Sequence, residues 1–480
     1  MARWSGASTV LAGTAVLTSC GASLRMAGLR EAGEAASHPI TGYGQVATTL
    51  GRAYVSSAFR SPVNYAVTGV AMALRRPAEV LSGNLPDSSV IPGGPVSPAP
   101  PGTSRFEDWL TEQGMPEPVA GELGLLIDGR EFFHSLDREL AGARRSIDIQ
   151  TFIFDNDDFA VDFARRLKKR SEAVKVRVMY DDLGTSLSSA VAPDTPAPDD
   201  FEPPVTIAKI LKSRPDPIEM RRTLNPWLVA DHTKLYVFDD KIAFLGGMNI
   251  GREYRSEWHD MMVRVTGPAT QVLTEDFDAR WRSCRFPGKL PGAGRVGDDV
   301  DPATNARRGL RILRTDVVDG RFEVLTAAVS AIRSAKKRVW METPYFSSDS
   351  VQRELVAAAR RGVDVRLVLP GTSDSRLMRL ANGATAVDLI RAGGRAYIYP
   401  GMTHLKALVC DDWAMVGSAN YDTLSMAINR ELNIATAEPG FVGELSRRVF
   451  RRDFRESRTI KEEEVDAVMS RIAEAVADQL

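Results

Sequence analysis

Through most of the chain, apolar positions alternate between a period near 3.6 and a period of two, the signatures of helix and strand. Phe132, Phe133, Leu136 and Leu140 form a helical stripe, and Ile147 to Phe154 then alternates as a strand. Helical spacing returns from Phe159 to Lys169, and Val174 to Tyr180 reads as a strand ending at Asp181-Asp182-Leu183-Gly184. The same order recurs later. A helix from Val324 to Ala335 precedes a strand from Arg338 to Phe346, and a helix from Val351 to Arg361 precedes a strand from Val363 to Leu369. A further helix near Ala386 to Ala392 leads to a strand over Ala396 to Tyr399. Strands alternating with helices predict an α/β fold of helix-covered sheets. Recurrence of the order predicts two pseudo-symmetric halves.

Upstream the pattern changes. Arg3, a mild apolar run from Val10 to Leu17, and Leu17-Thr18-Ser19-Cys20 describe an export signal over residues 1–20. Its last four residues resemble the lipobox of bacterial lipoproteins, which would make Cys20 a lipidated anchor in the cell envelope. The alternative is peripheral attachment to the cytoplasmic membrane. The run is shorter than the roughly 20 apolar residues a spanning helix needs. Within residues 21–81, Val63, Val67, Val70 and Leu74 fall at helical spacing, as in a helix that docks on the next domain or lies on a membrane. Residues 82–105 are rich in Pro, Gly and Ser and read as a tether. The first α/β domain is expected over 106–300 and the second over 301–480.

Composition narrows the options only slightly. The 480 residues suffice for two domains, and a formal net charge of −1 provides no global attraction to nucleic acid. Three cysteines do not make a disulfide framework. Cys410 reads as a packed strand residue, and nothing in the sequence suggests a partner for Cys284.

The chemistry is carried by a stretch that occurs twice. Asp231-His232-Thr233-Lys234 runs through a strand to Asp239 and is followed by Gly246-Gly247-Met248-Asn249. His404-Leu405-Lys406 runs likewise to Asp411 and is followed by Gly417-Ser418-Ala419-Asn420. Counted from each histidine, the aspartate lies at +7 in both, the asparagine at +17 and +16, and an acid at +28 (Asp260) and +27 (Glu431). One inserted residue before the small-residue pair accounts for every offset. The chain has only five histidines, so two in matched settings point to duplication. From Thr151 to His232 is 81 residues, against 61 from Thr343 to His404. The difference includes the Pro- and Asp-rich stretch 192–200, read as a surface loop bordering the site.

On an extended strand, His232 and Lys234 share a face, as do His404 and Lys406. An imidazole beside an ammonium suits attack on a phosphodiester, because the cation offsets the charge that repels a nucleophile. Of two imidazoles facing one phosphorus, one attacks and the other protonates the leaving oxygen. Asn249 and Asn420 are candidate donors to phosphate oxygens. Asp260 and Glu431 are candidates to hold the far ring nitrogens. His259 reads as a surface or supporting residue and His134 as a partly buried one; Trp258 and Trp281 are expected to pack. The run Arg165 to Arg170 reads as the solvated end of a helix.

The paired motifs resemble the HKD signature of the phospholipase D superfamily across roughly residues 120 to 455. Their flanks, including Glu342-Thr343-Pro344-Tyr345-Phe346 and Asn429-Arg430-Glu431-Leu432, look most like the bacterial cardiolipin synthase branch. The resemblance implies two halves sharing one active site, a phosphohistidine intermediate, and no metal or cofactor in the reaction. It implies His232, Lys234, Asp239, His404, Lys406 and Asp411 as the catalytic set, with a structural part often played by the aspartates. The expected substrate is a phospholipid such as phosphatidylglycerol, met at a membrane surface, with no nucleic-acid partner. With both motifs in one chain, a monomer could suffice. Two departures from the branch leave the acceptor open: no pair of spanning helices, and no arginine before Lys234. A phosphatidyltransferase, a phospholipase D-type hydrolase, a nuclease of the superfamily and a silent scaffold all remain readings of these residues.

Overall fold

A computed structural model describes residues 96–188, 195–214, 218–223, 225, 229–284, 309–466, 469, 470, 473 and 474. Cys20, the export signal and residues 21–81 lie outside them. Two sheets carry the fold. In the first half the strands are β1 (Glu122–Ile127), β2 (Ser146–Thr151), β3 (Lys175–Asp181), β4 (Glu219–Thr223), β5 (Leu235–Phe238), β6 (Ile242–Gly246) and β7 (Met261–Thr266). In the second they are β8 (Leu310–Asp316), β9 (Arg321–Phe322), β10 (Arg338–Glu342), β11 (Asp364–Pro370), β12 (Arg395–Tyr399), β13 (Ala407–Cys410), β14 (Trp413–Gly417), β15 (Glu431–Thr436) and β16 (Arg458–Thr459).

The first sheet has the order β1-β7-β6-β5-β2-β3-β4, and the second contains β8-β15-β14-β13-β10-β11-β12 with β9 and β16 added at its edges. Strand for strand the two orders match. In both, β-α-β crossovers build the parallel part (β2-β3-β4 and β10-β11-β12), and a meander builds the antiparallel part. Duplication is therefore visible in the topology as well as in the motifs.

Period-two alternation sorts side chains between cores. On β5 and β6, Tyr236, Phe238 and Phe244 face the helices Asp128–Gly142 and Asp158–Ser171, while Leu235, Val237, Ala243 and Leu245 face the other sheet. On β13 and β14, Leu408, Cys410, Trp413 and Met415 face the helices Glu323–Ser334 and Asp349–Arg360, while Ala407, Val409, Ala414 and Val416 meet the first sheet. Both sheets are thus buried on both faces and share the central core.

Helix starts follow capping chemistry: Asp157 accepts from Ala160 N–H at 2.7 Å, and Ser375 from Met378 N–H at 3.1 Å. Lys168, Lys169 and Arg170 occupy the last turn of Asp158–Ser171, as expected of a helix end. Strands β2 and β10 are shorter than the alternation suggests, because Thr151 and Thr343 turn their hydroxyls onto the carbonyls of Ile153 and Tyr345, both at 2.9 Å. The helix expected near 386–392 begins ten residues earlier, as Arg376–Arg391. Its first turns bury Asn382 beside Met378 and Ala381, so the apolar stripe is interrupted. His134 is exposed rather than partly buried, since it lies opposite the Phe132 and Leu136 stripe.

The end of the expected tether differs too. Ala99 is buried, Ser97 N–H donates to Ser334 Oγ at 3.2 Å, and the helix Ser104–Glu112 begins inside the stretch. That helix packs on the second half: Phe106, Trp109 and Leu110 join Leu313 and Trp413, and Glu107 receives the buried Arg311 guanidinium at 2.8 Å.

Candidate active site

His232 and Lys234 stand just before β5, and His404 and Lys406 just before β13. Both histidines are buried, as are both lysines. Backbone pairing between the halves brings the motifs together. His232 N–H donates to Arg430 carbonyl at 2.9 Å, and Arg430 N–H returns a bond to Ala230 at 2.9 Å. His404 N–H donates to His259 carbonyl at 2.7 Å, and His259 N–H to Met402 at 3.0 Å. Each histidine therefore pairs with the residue just before the other half's acid.

The acids consequently cross over. His232 Nδ1 lies 3.0 Å from Glu431, and His404 Nδ1 lies 2.7 Å from Asp260. Register alone left open which acid serves which ring. With Nδ1 bound to a carboxylate, Nε2 is the nitrogen left to react in each ring. Lys234 and Lys406 each donate one N–H to the carbonyl of their own motif histidine, at 2.6 and 2.5 Å.

Small residues before the asparagines make room for the acids. A Cβ on Gly247 would overlap the Asp260 carboxylate, with Oδ2 at 2.7 Å. The matching residue in the second half is Ser418, whose hydroxyl donates to Glu431 at 2.6 Å. Asp260 has Met261 N–H at 2.7 Å instead. Asn249 turns its oxygen to Thr151 Oγ1 (3.1 Å) and Ile153 N–H (3.0 Å), while Asn420 bonds Asp422. Aromatic walls complete the site. Phe152 lies edge-on to His232 at 4.9 Å with the Lys234 ammonium 5.1 Å from its ring; Tyr254 and Trp258 flank His404. Ser418, Phe152 and Tyr254 were not singled out from sequence. The in-register small-residue pair held the signal for Ser418.

Thr195, within the inserted stretch, accepts from Arg252 at 2.7 Å and binds Glu257, on either side of Tyr254. The loop thus reaches the segment that walls the site.

Asp239 and Asp411 do not join this cluster. They lie beyond the far ends of β5 and β13, seven residues or about 20 Å from the histidines. Both adopt left-handed backbone, with φ 54° and 51°. Asp239 accepts from the N–H groups of Arg144, Arg145 and Ser146 (2.9, 2.6 and 3.0 Å), and Asp411 from those of Lys336, Lys337 and Arg338 (2.8, 2.7 and 3.0 Å). Each clamps the turn that enters β2 or β10.

Burial, with Lys234 and Lys406 adding to it, pulls the His232 imidazole down to about 4. Burial and the two lysines lower His404 well below its usual range. Burial pulls Lys406 down to about 7 and pushes Asp260 up to about 7. Burial opposes ionisation of Glu431, but His232 and Lys234 hold it below the usual carboxylate range. Both rings are therefore neutral at pH 7, the form a nitrogen nucleophile requires. Mutual influence among His232, Lys234, His404 and Lys406 marks them as one electrostatic unit.

Two matched α/β halves that cross-link their histidines and acids define a duplicated phosphodiester-transfer fold. Residues 136–281 and 328–454 match the family described as "Cardiolipin synthase, PLD-like domain". The chain is 30% identical over 370 residues to cardiolipin synthase A of Pseudomonas entomophila (strain L48), covering 73% of this chain and 72% of that one. It is equally similar, over the same shares, to cardiolipin synthase A of Pseudomonas putida (strain KT2440). The fold resembles phosphatidylserine synthase of Haemophilus influenzae Rd KW20 (TM-score 0.56, 14% identity, 78% of this chain and 98% of that one). The chain belongs to the cardiolipin synthase-like family of the phospholipase D superfamily, and it is an enzyme of that class.

Proposed function

We propose that the enzyme is a phosphatidyltransferase that makes cardiolipin by moving a phosphatidyl group between two phosphatidylglycerol molecules. The observation that carries this is the crossed arrangement, in which two complete imidazole, ammonium and acid sets converge in one buried site. One neutral histidine Nε2 attacks phosphorus; the phosphorus–oxygen bond to glycerol breaks, and the other ring, which takes up a proton on Nε2 before the step and carries it as an imidazolium held at Nδ1 by its acid, delivers that proton to the departing oxygen. The resulting phosphohistidine is resolved when that second imidazole takes the proton of an acceptor hydroxyl, which attacks phosphorus and breaks the phosphorus–nitrogen bond. Glu431 and Asp260 stabilise whichever ring carries positive charge. Lys234, Lys406 and the amides of Asn249 and Asn420 bind phosphate oxygens. Asp239 and Asp411 hold the sheet turns and take no part in the reaction.

The acceptor lies at a membrane surface, which Cys20 lipidation would supply. Among the described residues no helix is long and apolar enough to cross a membrane. One chain holds both halves of the site, so a monomer is competent.

Purified protein should convert phosphatidylglycerol vesicles to cardiolipin and free glycerol. Phosphatidic acid as the sole product would replace transfer by hydrolysis, and nicking of plasmid DNA would point to a nuclease. His232→Ala and His404→Ala should each abolish turnover; full activity in either refutes the shared site. Acid-quenched labelling on one histidine identifies the nucleophile. Fatty-acid labelling that survives Cys20→Ala would eliminate the anchor.

A further inference from the structure

The duplication places two clusters behind the two histidines, and an arginine that neutralises the first is an aspartate in the second. Behind His232, Asp231 takes the Arg280 guanidinium and Gln150 Nε2 (3.0 Å), while Arg430 pairs with Asp316 at 3.3 Å. Two anions meet two cations there. The equivalent positions behind His404 follow from the matched strands. Gln150 corresponds to Glu342, Asp231 to Thr403 and Arg430 to His259; the carboxylate each of the last pair meets, Asp316 or Asp128, stands at the end of the matched strands β8 and β1, one residue apart in register. Arg280, between Phe277 and Trp281 on the last helix of its half, corresponds to Asp453 between Phe450 and Phe454. An aspartate thus occupies the arginine position, and three carboxyl groups surround one imidazole.

Their geometry converges. His259 Nδ1 faces Asp128 at 2.6 Å, and its Nε2 faces Asp453 at 3.4 Å. Thr403 Oγ1 donates to Glu342 Oε1 at 2.5 Å. Glu342 Oε2 and Asp453 Oδ1 are fully buried, and without an ion the contact that would hold them is a proton shared between these two carboxyls. One donor atom each from His259, Glu342 and Asp453 lies within 4.8 Å of the others.

We propose that His259, Glu342 and Asp453 bind a divalent transition-metal ion, which supplies the cation that Arg280 supplies in the other half. An imidazole with its Nδ1–H held by a carboxylate, here Asp128, is the usual arrangement of a metal-binding histidine. One nitrogen and two carboxylate oxygens suit zinc or manganese better than magnesium or calcium, which prefer all-oxygen shells. Zinc bonds of about 2.0–2.2 Å separate ligand atoms by about 3.4 Å in a tetrahedron, so closure of about 1 Å completes the set. The ion would join β10, the helix Arg451–Glu456 and the segment carrying His259 and Asp260. It would brace the backbone behind His404 and stay outside the phosphoryl chemistry, so the proposal does not depend on which lipid is the substrate.

The test uses the full chain, stripped with a chelator, desalted and titrated with zinc chloride and then manganese chloride. Calorimetry and elemental analysis should give one ion per chain. Affinity should fall between pH 7.5 and 5.5, because binding displaces protons from the ligands. Glu342→Gln and Asp453→Asn should each remove stoichiometric binding. Asp128→Asn should weaken it by about 10- to 100-fold, and His404→Ala should retain it. Absence of saturable binding by the folded wild-type protein overturns the proposal and assigns Glu342 and Asp453 a shared proton instead. Unchanged stoichiometry in the Glu342→Gln/Asp453→Asn double variant overturns it equally.

Discussion

Replacing Glu431 with Gln tests whether each imidazole depends on an acid from the opposite half. The Glu431 carboxylate accepts from His232 Nδ1 at 3.1 Å and from Ser418 Oγ at 2.6 Å, and the pair is buried. When His232 turns positive, as an imidazolium or a phosphohistidine, carboxylate and ring charges lie about 4 Å apart. At an effective dielectric constant of about 20, that attraction is worth about 4 kcal/mol. Glutamine keeps the shape and removes the charge, so turnover should fall by about 10³-fold. Cardiolipin formation from phosphatidylglycerol vesicles measures the loss. Nitrogen-15 NMR of labelled histidine, tractable with only five histidines, locates it. Glu431→Gln should shift the His232 ring signals and spare those of His404, and Asp260→Asn should do the reverse. Turnover within tenfold of wild type, or a change confined to His404 in Glu431→Gln, would refute the crossed assignment.

Other consequences follow from the same structure. Asp411→Asn keeps a residue that tolerates left-handed backbone but weakens three amide contacts; stability in urea should drop by about 2–3 kcal/mol while kcat stays within about threefold. A kcat collapse in folded protein would return Asp411 to the reacting set. Because burial holds His232 at about 4 against about 6.5 unfolded, the unfolded chain binds more protons between those values. Stability on the order of 3 kcal/mol should therefore be lost as pH falls through that window. Glu431, held below its usual range, acts in the same direction at lower pH. Asp260, pushed up to about 7, acts in the opposite direction over the same window, so the His232 contribution is read as the difference between wild type and His232→Gln; a stability change from pH 7 to pH 5 identical in the two proteins would contradict it. Phe106→Ala should cost about 3–5 kcal/mol, since the ring is fully buried against Trp109 and Trp413. A negligible cost would mean that the helix Ser104–Glu112 is dispensable to the second half.

Most of the layered fold was legible because the cores are sorted by simple periodicity: Tyr236 and Phe238 alternate with Leu235 and Val237. Histidine, lysine, asparagine and acid were legible as a set because duplication preserved their offsets. What sequence could not assign was partnership across the halves. Offsets count along one chain, whereas His232 meets Glu431 only after Ala230 and His232 pair with Arg430. The aspartates at +7 were equally regular in sequence, yet regularity does not distinguish a reacting group from a turn clamp; the left-handed backbone at Asp239 and Asp411 does. Composition misled at residues 96–105, where Pro and Gly predicted a tether. Gly102, at φ 93°, instead lies so close to Asp412 that a Cβ would come within 2.6 Å of its backbone.

Crossing the acids has a consequence for how such a site can vary. If each acid served the histidine of its own half, either half could lose the other and keep an oriented imidazole. With Asp260 holding His404 and Glu431 holding His232, neither half orients its own ring, so both must dock before either histidine has a fixed tautomer. A symmetric pair would satisfy that condition as well as a fused one. Fusion adds the freedom for equivalent positions to differ. Gly247 beside the shorter Asp260 and Ser418 beside the longer Glu431 fill the same space in two ways. One acid then receives a hydroxyl and the other a backbone amide, and only Glu431 is held below its usual range. Two chemically distinct imidazoles are what a reaction with one nucleophile and one acid requires. Arg280 and Asp453 extend the same divergence one layer behind the rings.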